Sequence, residues 1–296
     1  MQPDTYTVKV VGNCRIHADV YQPSDGGVHP GVVWLHGGAL IFGSRSRLHP
    51  AQRALYLQAG YSVVAMDYRL APETRLPEII EDLRDAFRWL RDEGPERLRV
   101  DPRRLAVVGH SAGGYLALMA GFTVQPRPQA VVAFYGYGDI VGAWYSRPDP
   151  FYCQWPLVSP TEAQAVIGSQ PISGAVDQQN EDRFRFYLYC RQRGLWLQKV
   201  VGCDPEAGLA AFEPFRPVSH VTSDYPPTLL LHGDHDTDVP YEQSVLMAAR
   251  LADAGVDHEL VTIPNGGHGF DQDMGSPEVV GAFQRVLEFL QRCVGA

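Results

Sequence analysis

Short, predominantly apolar runs recur along this chain, separated by segments of helical periodicity, and few architectures accommodate that rhythm. The runs are Gly31–Leu35, Tyr61–Met66, Leu105–Val108, Ala130–Phe134, Thr228–Leu231 and Glu259–Ile263. A strand that is apolar on both faces needs cover on both, which helices provide when they cross between parallel strands. Helical patterns fill the gaps at Leu76–Arg91, Ala112–Gly121, Tyr241–Ala254 and Pro277–Cys293. In the first of these, Ile79, Ile80, Leu83, Phe87 and Leu90 recur at helical spacing, with acids early and Arg late as the helix dipole favours. Two β-rich runs lead the chain, Tyr6–Val11 and Arg15–Tyr21, joined at Gly12-Asn13, where both residues tolerate positive φ. The order predicts a mostly parallel sheet with an antiparallel N-terminal edge and helices on both faces.

One segment breaks the rhythm. Between Phe134 and Pro227 no clear strand is readable. A structureless loop of that length is improbable in a compact domain. The segment holds an aromatic stretch from Tyr135 to Trp155 and an amphipathic run, Asp182–Arg193. Residues 139–222 are therefore expected to form a mainly helical cap, inserted after the sixth strand into a catalytic domain made of residues 1–138 and 223–296.

Composition bounds the function. With 45% apolar and 20% charged residues among 296, a large core can be buried. The formal charge of −9 disfavours a nucleic-acid partner and any polybasic attachment to anionic lipid. Met1–Val11 has no basic stretch followed by an apolar run, and no run approaches the length of a membrane span, so a cytoplasmic location is expected. The five cysteines, Cys14, Cys153, Cys190, Cys203 and Cys293, form no C-x-x-C pair and read as reduced structural thiols.

The strongest chemical signal is Val107-Val108-Gly109-His110-Ser111-Ala112-Gly113-Gly114, a G-x-S-x-G flanked by an apolar strand and a helix-forming run. The serine of such a turn sits on strained backbone with its Oγ clear of the sheet, above a helix N-terminus that favours developing negative charge. His36-Gly37-Gly38 ends the third strand, and the backbone N–H groups of Gly37 and Gly38, with that of Ala112 after the serine, are the candidate donors to a transition-state oxyanion. Candidate acids and a base follow the serine in chain order. After Thr228–Leu231 come Asp234, Asp236 and Asp238, among which spacing cannot choose. After Glu259–Ile263 comes His268 in a glycine-rich loop, the best-placed base. The His232-x-Asp234-His235-Asp236-x-Asp238 cluster invites a metal, but no second ligand cluster accompanies it, and no metal or cofactor is expected.

These motifs together resemble esterases and lipases of the α/β-hydrolase superfamily, particularly the hormone-sensitive-lipase-like and feruloyl/acetyl-esterase-like branches. The resemblance rests on His36-Gly37-Gly38, Asp67-Tyr68-Arg69-Leu70-Ala71-Pro72-Glu73, the elbow around Ser111, His232 to Pro240, and Gly267-His268-Gly269. It covers roughly residues 30–135 and 225–290, and no motif covers the cap. It implies the α/β-hydrolase fold and a triad of Ser111, Asp236 and His268, since the pattern His-Gly-x-x-Asp-x-x-Val-Pro puts the acid at Asp236. Two departures, Ala39-Leu40 in place of a third glycine and His110 in place of an acid before the serine, point to the broader acyl-esterase branch.

The implied function is a serine carboxylesterase acting on small to medium esters without a cofactor. A small-molecule ester is the expected partner, and assembly into a homo-oligomer is left open. An arylformamidase could use the same residues, and turnover of a p-nitrophenyl ester against N-formylkynurenine would separate the two. A catalytically inactive binding module would be expected to lack a triad residue, and none is missing. Tyr137 and Trp144, on the aromatic stretch that begins beside the serine, are expected to line the substrate pocket or else to form the cap's own small core.

Overall fold

The computed structural model describes residues 2–203 and 208–296. Eight strands form one sheet: β1 (Asp4–Val11), β2 (Cys14–Tyr21), β3 (His29–Leu35), β4 (Ser62–Met66), β5 (Val100–His110), β6 (Ala130–Phe134), β7 (Thr228–Gly233) and β8 (His258–Ile263), in the spatial order β1-β2-β4-β3-β5-β6-β7-β8. β1 pairs with β2, and β2 with β4, antiparallel, while every other pairing is parallel. The β1–β2 reversal turns on Gly12, at φ +57°.

Parallel neighbours require crossovers, and helices make them. These are α1 (Pro50–Gln58), α2 (Leu76–Glu93), α3 (Ala112–Thr123) and α8 (Glu242–Asp253), with α9 (Pro277–Cys293) closing the chain. Alternate strand residues divide the core between the two faces. Val33, Leu35, Val64 and Val107 pack with Ile79, Leu83 and Phe87 of α2 and Leu116 of α3. Val32, Trp34, Val63 and Val108 pack with Tyr56 of α1 and Phe283, Val286 and Phe289 of α9. This division explains why the strands read as continuous apolar runs.

Two elements were not legible. Helix α1 buries only Gln52 and Tyr56, so it has no apolar stripe to read, and it starts because His49 Nδ1 accepts from Ala51 N and Pro50 occupies the first turn. Strand β5 begins well before its apolar run, because its register on β3 jumps from Pro30 opposite Asp101 to Gly31 opposite Leu105. Asp101 turns the excursion, accepting from Arg103 N at 3.0 Å and pairing with Arg104.

The segment between β6 and β7 adds helices α4 (Ala143–Ser146), α5 (Pro160–Ala165), α6 (Asp177–Arg193) and α7 (Trp196–Val200) and, among the described residues, no strand of the sheet. Tyr145, Tyr152, Trp196 and Val200 share one continuous apolar core with Leu40, Leu116 and the α2 face. Behind β4, Arg69 makes a two-pronged bond to buried Asp82 (2.7 and 2.8 Å) and Asp67 pairs with Arg45, so Asp67-Tyr68-Arg69 is pinned by ion pairs. Among the described residues, no helix is long and apolar enough to cross a membrane.

Phe283 is buried and stacks on Phe134 at 5.3 Å, joining α9 to the strand beside the site. Phe283→Ala should lower unfolding free energy by about 3–5 kcal/mol. Urea denaturation followed by circular dichroism would measure it, and a loss below about 1 kcal/mol would contradict this packing.

Candidate active site

β5 ends at His110 and α3 starts at Ala112, so Ser111 alone makes the turn, at φ +55° and ψ −118°. The backbones around it approach more closely than any side chain allows. A Cβ on Gly109 would stand 1.9 Å from Gly113 O, and one on Gly113 would stand 2.1 Å from Leu35 O. Ser111 N donates to Phe134 O at 2.9 Å and Tyr115 N to Ser111 O at 2.9 Å, so the strained residue is held from both sides.

His268, in the loop after β8, reaches Ser111 through space. Its Nε2 lies 3.0 Å from Ser111 Oγ and its Nδ1 2.8 Å from Asp236 Oδ2. That pattern assigns the ring proton to Nδ1 and leaves the Nε2 lone pair facing the serine hydroxyl. Asp236 is enclosed: Oδ1 accepts from Asp238 N and Val239 N at 2.8 and 2.9 Å, and Oδ2 also stands 3.2 Å from His232 Nε2. Burial alone would raise the pKa of Asp236, but bonds from His232 and His268 outweigh it and hold the carboxyl well below the usual carboxylate range. Burial likewise opposes a charged His268, yet Asp238 and Asp236 together hold that imidazole above its ordinary value.

The three acids that spacing left open thus have separate fates. Asp236 faces His268 Nδ1. Asp234 accepts from Asn265 N at 2.6 Å and faces His235 at the surface. Asp238 stands on the other side of the imidazole, with Oδ2 3.4 Å from His268 Nε2 and Oδ1 taken by Tyr187 and Arg191. The histidines of the cluster diverge as well, His232 pairing inward with Ser244 Oγ at 2.7 Å while His235 points outward.

Gly37 and Gly38 border Ser111 in the same cavity. Gly38 has φ +116°, and a Cβ there would stand 2.0 Å from Phe42 O. Ala112 opens α3, where its N–H has no intrahelical acceptor. His36 faces away from the serine. It is fully buried, stacks on Tyr68 at 4.1 Å, and is pushed by burial to a pKa of about 4, so it is neutral while Nδ1 donates to Gly37 O.

A cavity of about 530 Å³ opens over Ser111. Phe42, Phe151, Tyr152, Phe184 and Tyr187 form an aromatic wall, and Trp34, His110 and Tyr135 lie among the other lining residues. Tyr137 and Trp144 are absent from the lining, which corrects the pocket expectation. Tyr137 is fully buried, stacked on Tyr115 at 4.8 Å and edge-on to Trp144 at 5.3 Å. Trp144 stacks on Tyr145 at 3.7 Å. The left-handed backbone at Tyr135 (φ +38°) breaks strand alternation and puts Tyr135 on the same sheet face as Phe134. Tyr135 then meets His268 at 4.6 Å, while Tyr137 enters the core on the opposite sheet face.

Sequence reading missed Phe42, Phe184, Tyr187 and Asp271. The first three come from a loop and from α6, where no motif marks them. Asp271 is fully buried beneath the site, accepting from Gln52 Nε2 at 2.6 Å and from Tyr135 OH, and standing 3.3 Å from His110 Nε2. It ties the His268 loop to α1 and to the end of β6.

The non-reducing polyketide synthase Preu3 of Preussia isomera is 28% identical over 97% of this chain, which spans only 13% of that synthase. Esterase LipC of Mycobacterium tuberculosis is 29% identical over 82% of this chain, which matches 53% of LipC. The chain therefore spans at most about half the length of these curated relatives. An α/β-hydrolase superfamily protein from Enterococcus faecalis superimposes with a TM-score of 0.76 at 24% identity, covering 98% of each chain. The fold is thus the α/β-hydrolase fold. The BD-FAE family model matches residues 18–251, from β2 into α8, a span that includes Ser111 and Asp236, and the chain belongs to that family.

Proposed function

We propose that the protein is a serine carboxylesterase acting on small to medium carboxylic esters through an acyl-enzyme. The observation that carries this reading is the unbroken relay from Asp236 Oδ2 through His268 to Ser111 Oγ, at 2.8 and 3.0 Å. Ser111 Oγ attacks the ester carbonyl carbon as His268 Nε2 takes its proton, and the carbonyl electron pair moves onto oxygen. The N–H groups of Gly37, Gly38 and Ala112 receive that oxyanion. As the carbonyl reforms, the alkoxide leaves and takes the proton from His268. Water then attacks the acyl-enzyme with His268 as base, releasing the acid and restoring the serine. Asp236 keeps the proton on Nδ1 and stabilises the imidazolium.

A cavity of about 530 Å³ has the volume of a small-molecule site, and its aromatic wall suits an aromatic or short acyl group. Similarity to a protein named as an esterase supports the same reaction class.

Ser111→Ala should lower kcat on a p-nitrophenyl ester by about 10⁶, and Asp236→Asn by about 10⁴ through loss of the correct tautomer. Activity of Ser111→Ala within tenfold of wild type would overturn the reading. The pH profile follows from His268. The base must be neutral, and its folded pKa is raised, so kcat/KM should fall as pH drops through an inflection above the ordinary imidazole value of about 6.5. An inflection at or below that value would contradict the two-carboxylate environment. Phe184→Ala should shift preference along an acyl-length series by about 1–3 kcal/mol. Tyr137→Ala should instead lower the thermal midpoint and leave that preference unchanged.

A further inference from the structure

The loop after β3 is an improbable conformation with only two backbone bonds of its own, Ile41 N and Phe42 N donating to Gly38 O at 2.8 and 2.9 Å. Gly38, Ala39 and Leu40 all have positive φ, at +116°, +53° and +62°, and two of them carry side chains. Non-glycine residues disfavour that region, and they persist there only where surrounding structure over-determines them. The surroundings here come largely from the inserted segment. Trp196 Nε1 donates to Ala39 O at 3.0 Å, and Arg183 Nε donates to Ile41 O at 2.5 Å. Gly43 N donates to Asn180 Oδ1 at 2.8 Å, while Gly43 O accepts from Ala175 N at 2.7 Å. Ala71 N takes the remaining Leu40 carbonyl at 2.8 Å.

Arg183 is 1% exposed and Trp196 fully buried. The guanidinium also makes paired 2.8 Å bonds to Glu73, whose side chain is 1% exposed, and donates to Ala71 O. A charge is thus buried where its Nε–H meets one loop carbonyl and its other nitrogens are anchored elsewhere. Such a group has one geometry available, and it imposes that geometry on the loop.

Helix α6 grips the opposite side of the site as well. Tyr187 and Arg191 both bond Asp238, which flanks His268. Residues 180, 183, 187 and 191 recur every three or four positions, so they share one helix face, about 16 Å from end to end. That face spans from the candidate oxyanion loop to the loop that carries the acid.

We infer that α6 and Trp196 set the geometry of the oxyanion donors, making Arg183 and Trp196 positioning residues for the proposed hydrolysis. This rests on the reading of Gly37 and Gly38 as oxyanion donors to a Ser111 adduct. A loosened loop would bind substrate nearly as before through Phe151, Tyr152, Phe184 and Tyr187, which lie outside it, but would stabilise the tetrahedral state less.

The test uses Arg183→Met, Trp196→Phe and Ser111→Ala in the full chain. For each, kcat and KM on p-nitrophenyl acetate are measured, with the Ki of an aryl trifluoromethyl ketone, whose serine adduct carries an oxyanion, and the thermal midpoint. Both positioning variants should lose at least about tenfold in kcat, a fraction of the 10²–10³ that one oxyanion donor is worth. KM should stay within threefold, and Ki should rise in proportion to the loss in kcat/KM. Folded variants with wild-type kcat and Ki, while Ser111→Ala is inactive, would overturn this inference alone. A fall in thermal midpoint with unchanged Ki would do the same, assigning the contacts to stability. If Arg183→Met does not fold, Trp196→Phe decides. Full activity of Ser111→Ala, or a wild type that the ketone does not inhibit, would overturn the esterase reading itself.

Discussion

The contact on which this site depends is backbone against backbone at the end of β5. Gly109, Gly113 and the carbonyl of Leu35 approach so closely that a methyl group would not fit at either glycine. That approach lets the chain change from strand to helix across the single residue Ser111, so the hydroxyl stands clear of the sheet instead of lying along it. The third strand is thereby fixed against the start of α3, bringing Gly37 and Gly38 beside Ser111. Position, strain and the neighbouring N–H donors all follow from one steric arrangement.

Electrostatics then distinguishes groups that sequence presents as equivalent. Asp236 and Asp238 are two residues apart, yet they stand on opposite nitrogens of His268. Asp236 is wrapped by backbone N–H groups and two imidazoles, which stabilise its charge in a buried place. Asp238 is committed through its other oxygen to Arg191 and Tyr187. A cation and a phenol there lower the cost of keeping a second carboxylate so close to the first.

The inserted segment belongs to the same apolar core as the sheet, and that changes how its residues divide. Tyr137, Trp144, Tyr145 and Trp196 stack among themselves and bind the segment to the body. Phe151, Tyr152, Phe184 and Tyr187 are left to face the cavity. The aromatic stretch Tyr135–Trp155 therefore serves two ends, with Tyr137, Trp144 and Tyr145 in packing and Tyr135, Phe151 and Tyr152 along the cavity.

Much of the fold was legible in the sequence because the signals were local. Doubly apolar runs marked the parallel strands, helical spacing marked α2, α3, α8 and α9, and glycines around Ser111 marked the elbow, each through chemistry confined to a few neighbouring residues. Helix α1 was not legible, since it buries only Gln52 and Tyr56, and the early start of β5 depended on a register jump against β3. The candidate site was legible where one motif supplied it and silent where distant segments did. Spacing did not choose the acid that meets His268, which the family pattern supplied, whereas Asp271 beneath it and the grip of Arg183 and Trp196 on the loop of Ala39 depend on contacts between residues 142 to 219 positions apart. Sequence determined the elements and the reactive residue types, because backbone propensity and periodicity act over one turn or one strand. Tertiary structure alone decided the partners, because side-chain hydrogen bonds act over about 3 Å in space and carry no record of separation along the chain.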